Sequence, residues 1–203
     1  MITRSPLPTA TARWPTHDGS LEHILSLKPD VVLVGEFNAL LLRQRLMSLG
    51  VRVVMTRLPT TLDEVKLLSD QVAALLGREA ANASWPVVPP TSPVARHGQL
   101  LLLGANGFGA GRGTLEDSLL TQAGWTNYVH PQGHVSLDLE ALSAQPPDAV
   151  VWSTPRHAAL ANQFAQHPVL QRAVPPHRWI RTDDWRWRCP GPWMVALLAQ
   201  LQP

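Results

Sequence analysis

The 203-residue chain is short of several things, and each shortage closes a class of function. It has one cysteine, Cys189, so no disulfide can form within the chain. Lysine is confined to Lys28 and Lys66, arginine supplies the other positive charges, and the net charge is only +2. No Lys/Arg run is long enough to be a nucleic-acid footprint. No stretch reaches the roughly 18 apolar residues that a membrane span needs, so no transmembrane segment is expected. The opening MITRSPLPTATARWP lacks the apolar core of a secretory signal, and as written the chain carries none. Tyrosine occurs once, at Tyr128. The eight histidines form neither H-x-x-H nor H-E-x-x-H, and His130 and His134, at a spacing possible for a metal, read as exposed loop residues. There is no nucleophile elbow G-x-S-x-G. No catalytic residue, no metal ligand and no cofactor is therefore assigned.

What is present is an α/β rhythm. Hydrophobic residues make up 45% of the chain, enough for one domain or two small lobes. After an irregular Pro/Thr-rich start, the pattern predicts a short helix over 21–27 and a buried strand over 31–34. A helix over 39–49 ended by Gly50, a strand over 51–56 and a helix over 61–76 ended by Gly77 follow. Residues 78–98 include Pro86, Pro89, Pro90 and Pro93 and read as a linker. The rhythm then resumes with a strand over 99–103, a Gly-rich loop, and helices over 115–123 and 137–144. A strand over 149–152, a helix over 158–166, a strand near 179–181 and a helix over 193–201 complete it. The fold class predicted is α/β, with two lobes of mainly parallel sheet covered by helices. The divisions are a first lobe at 1–77, a linker at 78–98 and a second lobe at 99–203.

Ligands of open α/β sheets sit beyond the carboxyl ends of the strands. That rule nominates Glu36, Phe37 and Asn38, Arg57, Asn106, Phe108 and Arg112, Thr154 and Arg156, and the segment 184–188. The loop GANGFGAGRGT fails the spacing of G-x-G-x-x-G and lacks the lysine of a P-loop, leaving ligand contact or a plain turn. In TDDWRWRCPGPWM, two tryptophans alternate with Arg186 and Arg188. In an extended loop this would set rings on one side and guanidiniums on the other, as a large conjugated anion would require. The alternative is that Trp185 and Trp187 cap a core.

A repeat links the two halves. SLEHILSLKPDVVLV, beginning at Ser20, aligns without a gap with DLEALSAQPPDAVVW, beginning at Asp138, which places Glu22 and Glu140 118 positions apart. Each glutamate lies early in a short helix, where a carboxylate is favoured by the helix dipole. Dipole energetics do not explain the duplication; gripping a two-fold partner would.

EHILSLKPDVVL, together with GRGTLEDSLLTQAGWTN, LEAL…PPDAVV, HPVL and the late C-x-G-P, resembles the substrate-binding proteins of ABC importers for ferric siderophores, haem and vitamin B12. The resemblance covers about 19–77 and 99–201. It implies two lobes, a metal chelate held in the cleft between them, and an ABC permease dimer docked through Glu22 and Glu140. It also implies a periplasmic setting. Among the vitamin B12 binders, Asp184, Trp185 and Arg188 match a ligand loop, and Trp14 lies near a ligand-contacting position. The family's first lobe begins well upstream with a signal peptide and a further βαβ unit, so the chain reads as a fragment, a mis-started product or a reduced member with an incomplete first lobe. The linker replaces the family's interlobe helix. Siderophore and corrinoid suit the Arg/Trp loop, while a lone tyrosine weakens haem, which often takes a tyrosine or histidine ligand. The competing expectations are a cytoplasmic α/β enzyme acting on a nucleotide or sugar phosphate through the Gly-rich loop, and a truncated, inactive lobe pair.

Overall fold

The structure, a computed structural model, describes residues 17–37, 40–78, 85–87, 97–154, 160–182, 184–187 and 189–201. The chain forms two compact units, Met1–Leu58 and Pro59–Pro203.

In the first unit, helix α1 (Leu21–Ser26) leads into strand β1 (Val32–Gly35), and helix α2 (Leu40–Ser48) into strand β2 (Val53–Thr56). The strands pair in parallel, with Val32 opposite Val53 and Gly35 opposite Thr56. Ser20 caps α1 by accepting a hydrogen bond from the His23 amide. Gly50, at φ +80°, ends α2, where Gly50 N donates to the Met47 carbonyl and Val51 N to that of Leu46. These are the two bonds of a left-handed helix stop that only glycine enters without strain. Ile24 and Leu46 are buried, whereas Leu33, Leu41, Met47 and Met55 remain exposed.

The second unit holds a six-stranded sheet. Strands β3 (Gln99–Leu103), β7 (Ala149–Trp152) and β8 (Trp179–Ile180) run parallel, with β3 beside β7 and β7 beside β8. Strand β5 (Thr126–Asn127) pairs in parallel with the start of β3. Strand β4 (Phe108–Ala110) runs back antiparallel from the end of β3 and pairs with β6 (His134–Ser136). Helices lie on both faces. Leu100 and Leu102 of β3 face one cluster with Leu62 and Val65 of α3 (Leu62–Leu75), Leu119 of α4 (Leu115–Gln122) and Leu197 of α7 (Val195–Gln200). Leu101 and Leu103 face the other, with Leu142 of α5 (Leu139–Ala144) and Leu170 of α6 (Pro168–Ala173). The uninterrupted leucines of β3 are thus a strand buried on both sides.

Three expectations are corrected. Helix α3, assigned to a first lobe ending at 77, packs in the second unit, because its apolar stripe needs the larger sheet to cover it. The helix expected over 158–166 is, in its described part, a 3-10 turn (Leu160–Asn162), and α6 follows it. The expected Gly-rich loop is not a loop throughout, since Phe108–Ala110 forms strand β4. Most of the 78–98 linker lies outside the described residues, although Trp85 packs against the α3-side core.

Candidate ligand-binding site

The carboxyl ends of β3, β7 and β8 carry two cavities. One, of about 340 Å³, is floored by Leu102, Phe108 and Ala110 and rimmed by Asn106, Ser153, Glu116 and His134. Asn106 takes a left-handed φ of +55°, a conformation asparagine tolerates better than most residues. It sits in a 3-10 turn, Ala105–Gly107, between β3 and β4. The Gly104 amide donates to the Phe108 carbonyl at 2.7 Å, and the Leu137 amide to the Gly107 carbonyl at 2.8 Å, which pins the turn. At Gly107 a Cβ would collide with the Phe164 ring, so this glycine serves close packing. Across the rim, His134 Nε2 and Glu116 Oε1 stand 3.7 Å apart.

The second cavity, about 640 Å³, lies beside the β7 and β8 ends and is lined by Trp152, Thr154, Gln171, Trp179, Arg181 and Thr182, among others. This size is within the range of small-molecule sites. Of its lining, sequence reasoning nominated Thr154 alone. Trp152 closes the strand AVVW and Trp179 opens β8, and a tryptophan at a strand end was the signal available for both.

The other nominated residues separate. In the first unit, Glu36 follows β1 and its Oε1 accepts the Leu58 amide at 2.7 Å, bracing the ends of β1 and β2 together. Phe37 is 83% exposed and Arg57 is exposed after β2. Arg112 is displaced from the site. Because β4 reverses direction, Arg112 returns to the amino end of β3, where its Nε donates to the His130 carbonyl and its amide to the Pro131 carbonyl. Segment Asp184–Trp187 is a 3-10 helix and not an extended strand. With three residues per turn the expected alternation of rings and guanidiniums is lost. Trp187 is a core residue whose Nε1 donates to Thr182 Oγ1 at 2.8 Å, and Arg186 Nη1 donates to the Trp193 carbonyl at 2.8 Å. Trp14, Asn38, Arg156 and Arg188 lie outside the described residues, as do the side chains of Asp184 and Trp185.

The turn G-R-G-T is a structural clasp. Thr114 Oγ1 donates to the Gly111 carbonyl and accepts the Asp117 amide, while Asp117 Oδ2 accepts the Gly113 amide. Buried Asn127 donates to the Ala110 carbonyl and to Asp117 Oδ1. The start of α4 therefore carries Glu116 and Asp117, with the Gly113 and Asp117 amides already engaged, and a phosphate arriving there would be repelled. The nucleotide or sugar-phosphate reading loses its site on this ground.

Glu22 and Glu140 both lie exposed at the second position of six-residue helices, α1 and α5. The caps match too, since Asp138 accepts the Glu140 amide as Ser20 accepts that of His23. The Pro-Asp step has a clear task in the second unit. Asp148 Oδ2 accepts the Gln99 amide at 2.7 Å, and Arg178 donates to the carbonyls of Pro147 and Asp148, so the starts of β3, β7 and β8 are tied together.

Among the described residues, no group of three or more His, Cys, Asp or Glu is gathered to hold a metal ion, and no helix is long and apolar enough to cross a membrane.

The chain has the α/β fold of periplasmic haem-binding proteins and of a protein of an ABC-type iron-hydroxamate transport system. It is similar to a periplasmic haem-binding protein from Pseudomonas aeruginosa, at 25% identity and TM-score 0.70 over 90% of this chain and 74% of that one. It is similar also to the periplasmic haem-binding protein BhuT, solved with two haems, at 23% identity and TM-score 0.78 over 96% and 84%. A protein of an ABC-type Fe3+-hydroxamate transport system from Saccharomonospora viridis aligns at 21% identity and TM-score 0.66 over 89% and 70%. No protein-family model and no curated protein matches the chain.

Proposed function

We propose that the chain is the substrate-binding component of an ABC import system, capturing an iron chelate and passing it to a permease. The observation that carries this reading is the fold shared over nine-tenths of the chain with the Pseudomonas aeruginosa haem-binding protein. Cavities at the carboxyl ends of β3, β7 and β8 support it. The proposed contacts are Asn106, Phe108 and Thr154 in the second unit, with Phe37 and Arg57 in the first, and with Asp184 and Trp185 from the loop that the sequence resemblance nominates. Glu22 and Glu140 are the proposed docking residues for a permease dimer, in a periplasmic setting. The chain binds and releases its ligand without chemistry.

Titration with haemin, a ferric hydroxamate and cobalamin, followed through the eight tryptophans, tests the reading. Saturable quenching by haemin or by the ferric hydroxamate, with a dissociation constant of about 1 μM or tighter, about −8 kcal/mol, is expected. The absence of saturable binding by all three would refute it.

A further inference from the structure

We propose that the cavity beside β7 and β8 is a subsite for a flat, oxyanion-bearing arm of the ligand, such as a carboxylate on a planar ring. This rests on the reading of the chain as a binding protein and concerns which part of the ligand the cavity takes. Trp152 and Trp179 meet edge to face, with ring centroids 6.3 Å apart and planes at 77°, and supply flat apolar wall. Several polar groups at the wall are committed elsewhere. Trp179 Nε1 donates to the Val174 carbonyl at 2.8 Å, and Gln171 Nε2 to the Ala165 carbonyl at 2.7 Å.

Other lining groups are donors with no acceptor among the described residues. Trp152 Nε1 is buried with no hydrogen-bond partner. Thr154 is only 7% exposed and its hydroxyl makes no hydrogen bond among the described residues. Thr182 accepts from Trp187, which leaves its own proton to donate. Arg181 stands exposed at the mouth, and among the described residues no acidic side chain lines the cavity. Two hydroxyls and a guanidinium thus border a space to which the described residues bring no negative charge, with the Trp152 indole N–H buried in its wall. A buried N–H without an acceptor is destabilising, and a modest turn of the Trp152 ring toward the cavity gives an incoming oxyanion that bond. A charge-assisted contact to Arg181 then fixes the sign of the arm. At about 640 Å³ the space exceeds what a lone carboxylate fills, so the group arrives on a body that the two indoles can flank.

The test uses 2-naphthoate and 2-naphthamide, one ring system with and without the charge. They are titrated into 15N-labelled protein, and the Trp152 indole resonance is assigned by its loss in Trp152→Phe. The expected result is a saturable shift of that resonance by 2-naphthoate and binding of the amide at least about tenfold weaker. Arg181→Gln, a surface change, and Thr154→Val should each weaken the naphthoate and leave the amide unchanged. An unmoved Trp152 resonance, equal affinity for acid and amide, or an Arg181→Gln variant with unchanged naphthoate affinity would overturn the proposal. The Trp152 resonance reports on this cavity, apart from any chelate. A chain that binds naphthoate but no chelate would defeat the import reading and leave the subsite standing.

Discussion

Tyr128, the chain's one tyrosine, donates its hydroxyl to the Gln145 carbonyl at 2.7 Å and lies half-buried toward the amino end of β3. Burial disfavours the phenolate and raises the pKa from its ordinary value of 10.0. The folded state therefore holds this proton more tightly than the unfolded state. The associated stability is complete below about pH 10 and is lost as pH rises through the folded value. Tyrosinate absorbance during an alkaline titration should show a midpoint above 10 in the native protein and near 10 after denaturation. Equal midpoints would contradict the burial. Arg112 belongs to the same end of the sheet, so neither it nor Tyr128 is available to a ligand at the carboxyl ends of β3 and β7. Residue type and spacing alone could not reveal this for Arg112, because its displacement follows from the reversal of β4.

At the scale of elements, α1 with β1 and α5 with β7 are the same device made twice, and this much was legible in the sequence. The glutamate and the Pro-Asp step each have a local physical cause, dipole and helix stop; the apolar run is buried in β7 but not in β1, where the buried strand expected over 31–34 leaves Leu33 exposed. The long strands and helices were legible for the same reason. Strands β4, β5 and β6, of two or three residues each, were not, since so short a run carries no period. The 184–187 helix was missed because alternation reads as extended chain until Trp187 is pulled into a core. Of the candidate site, Asn106, Phe108 and Thr154 were found from the strand-end rule, while Trp152, Trp179 and Arg181 depend on how β8 pairs with β7. The docking proposal belongs at this scale. Changing Glu22 and Glu140 together to Gln should cost well under about 2 kcal/mol of stability if they act only on their helices. If they also pair with permease arginines, each close pair contributes about 1.5–7 kcal/mol of coupling, and association weakens as salt rises. Binding of the double variant to a cognate permease in membranes, at two ionic strengths, decides. A clear loss is expected, and wild-type affinity with an unchanged salt slope would remove the docking role.

At the scale of the whole molecule the two units differ in their means of support. The second has a sheet covered on both faces by two clusters of buried residues. The first has a two-stranded sheet with Ile24 and Leu46 as its buried apolar residues among those described, and it leaves Leu33 and Met55 of its own strands exposed. A two-stranded unit is marginal by itself, so β1 and β2 should open more readily than β3 and β7. Hydrogen exchange of the free protein should be at least about tenfold faster at the β1 and β2 amides than at those of β3 and β7. Equal protection would show support for the first unit that the described contacts do not supply.

The central claim is that the ligand is held by loops at the strand carboxyl ends. Hydrogen exchange of the protein with and without bound haemin or ferric hydroxamate, whichever the titration selects, tests it most directly. The account predicts added protection at Ala105–Gly107, at Ser153 and Thr154, and at Arg181 and Thr182. It predicts none at the amino-end turn where Arg112 meets His130. Protection confined to that amino-end turn, or spread without regard to the strand ends, would contradict it.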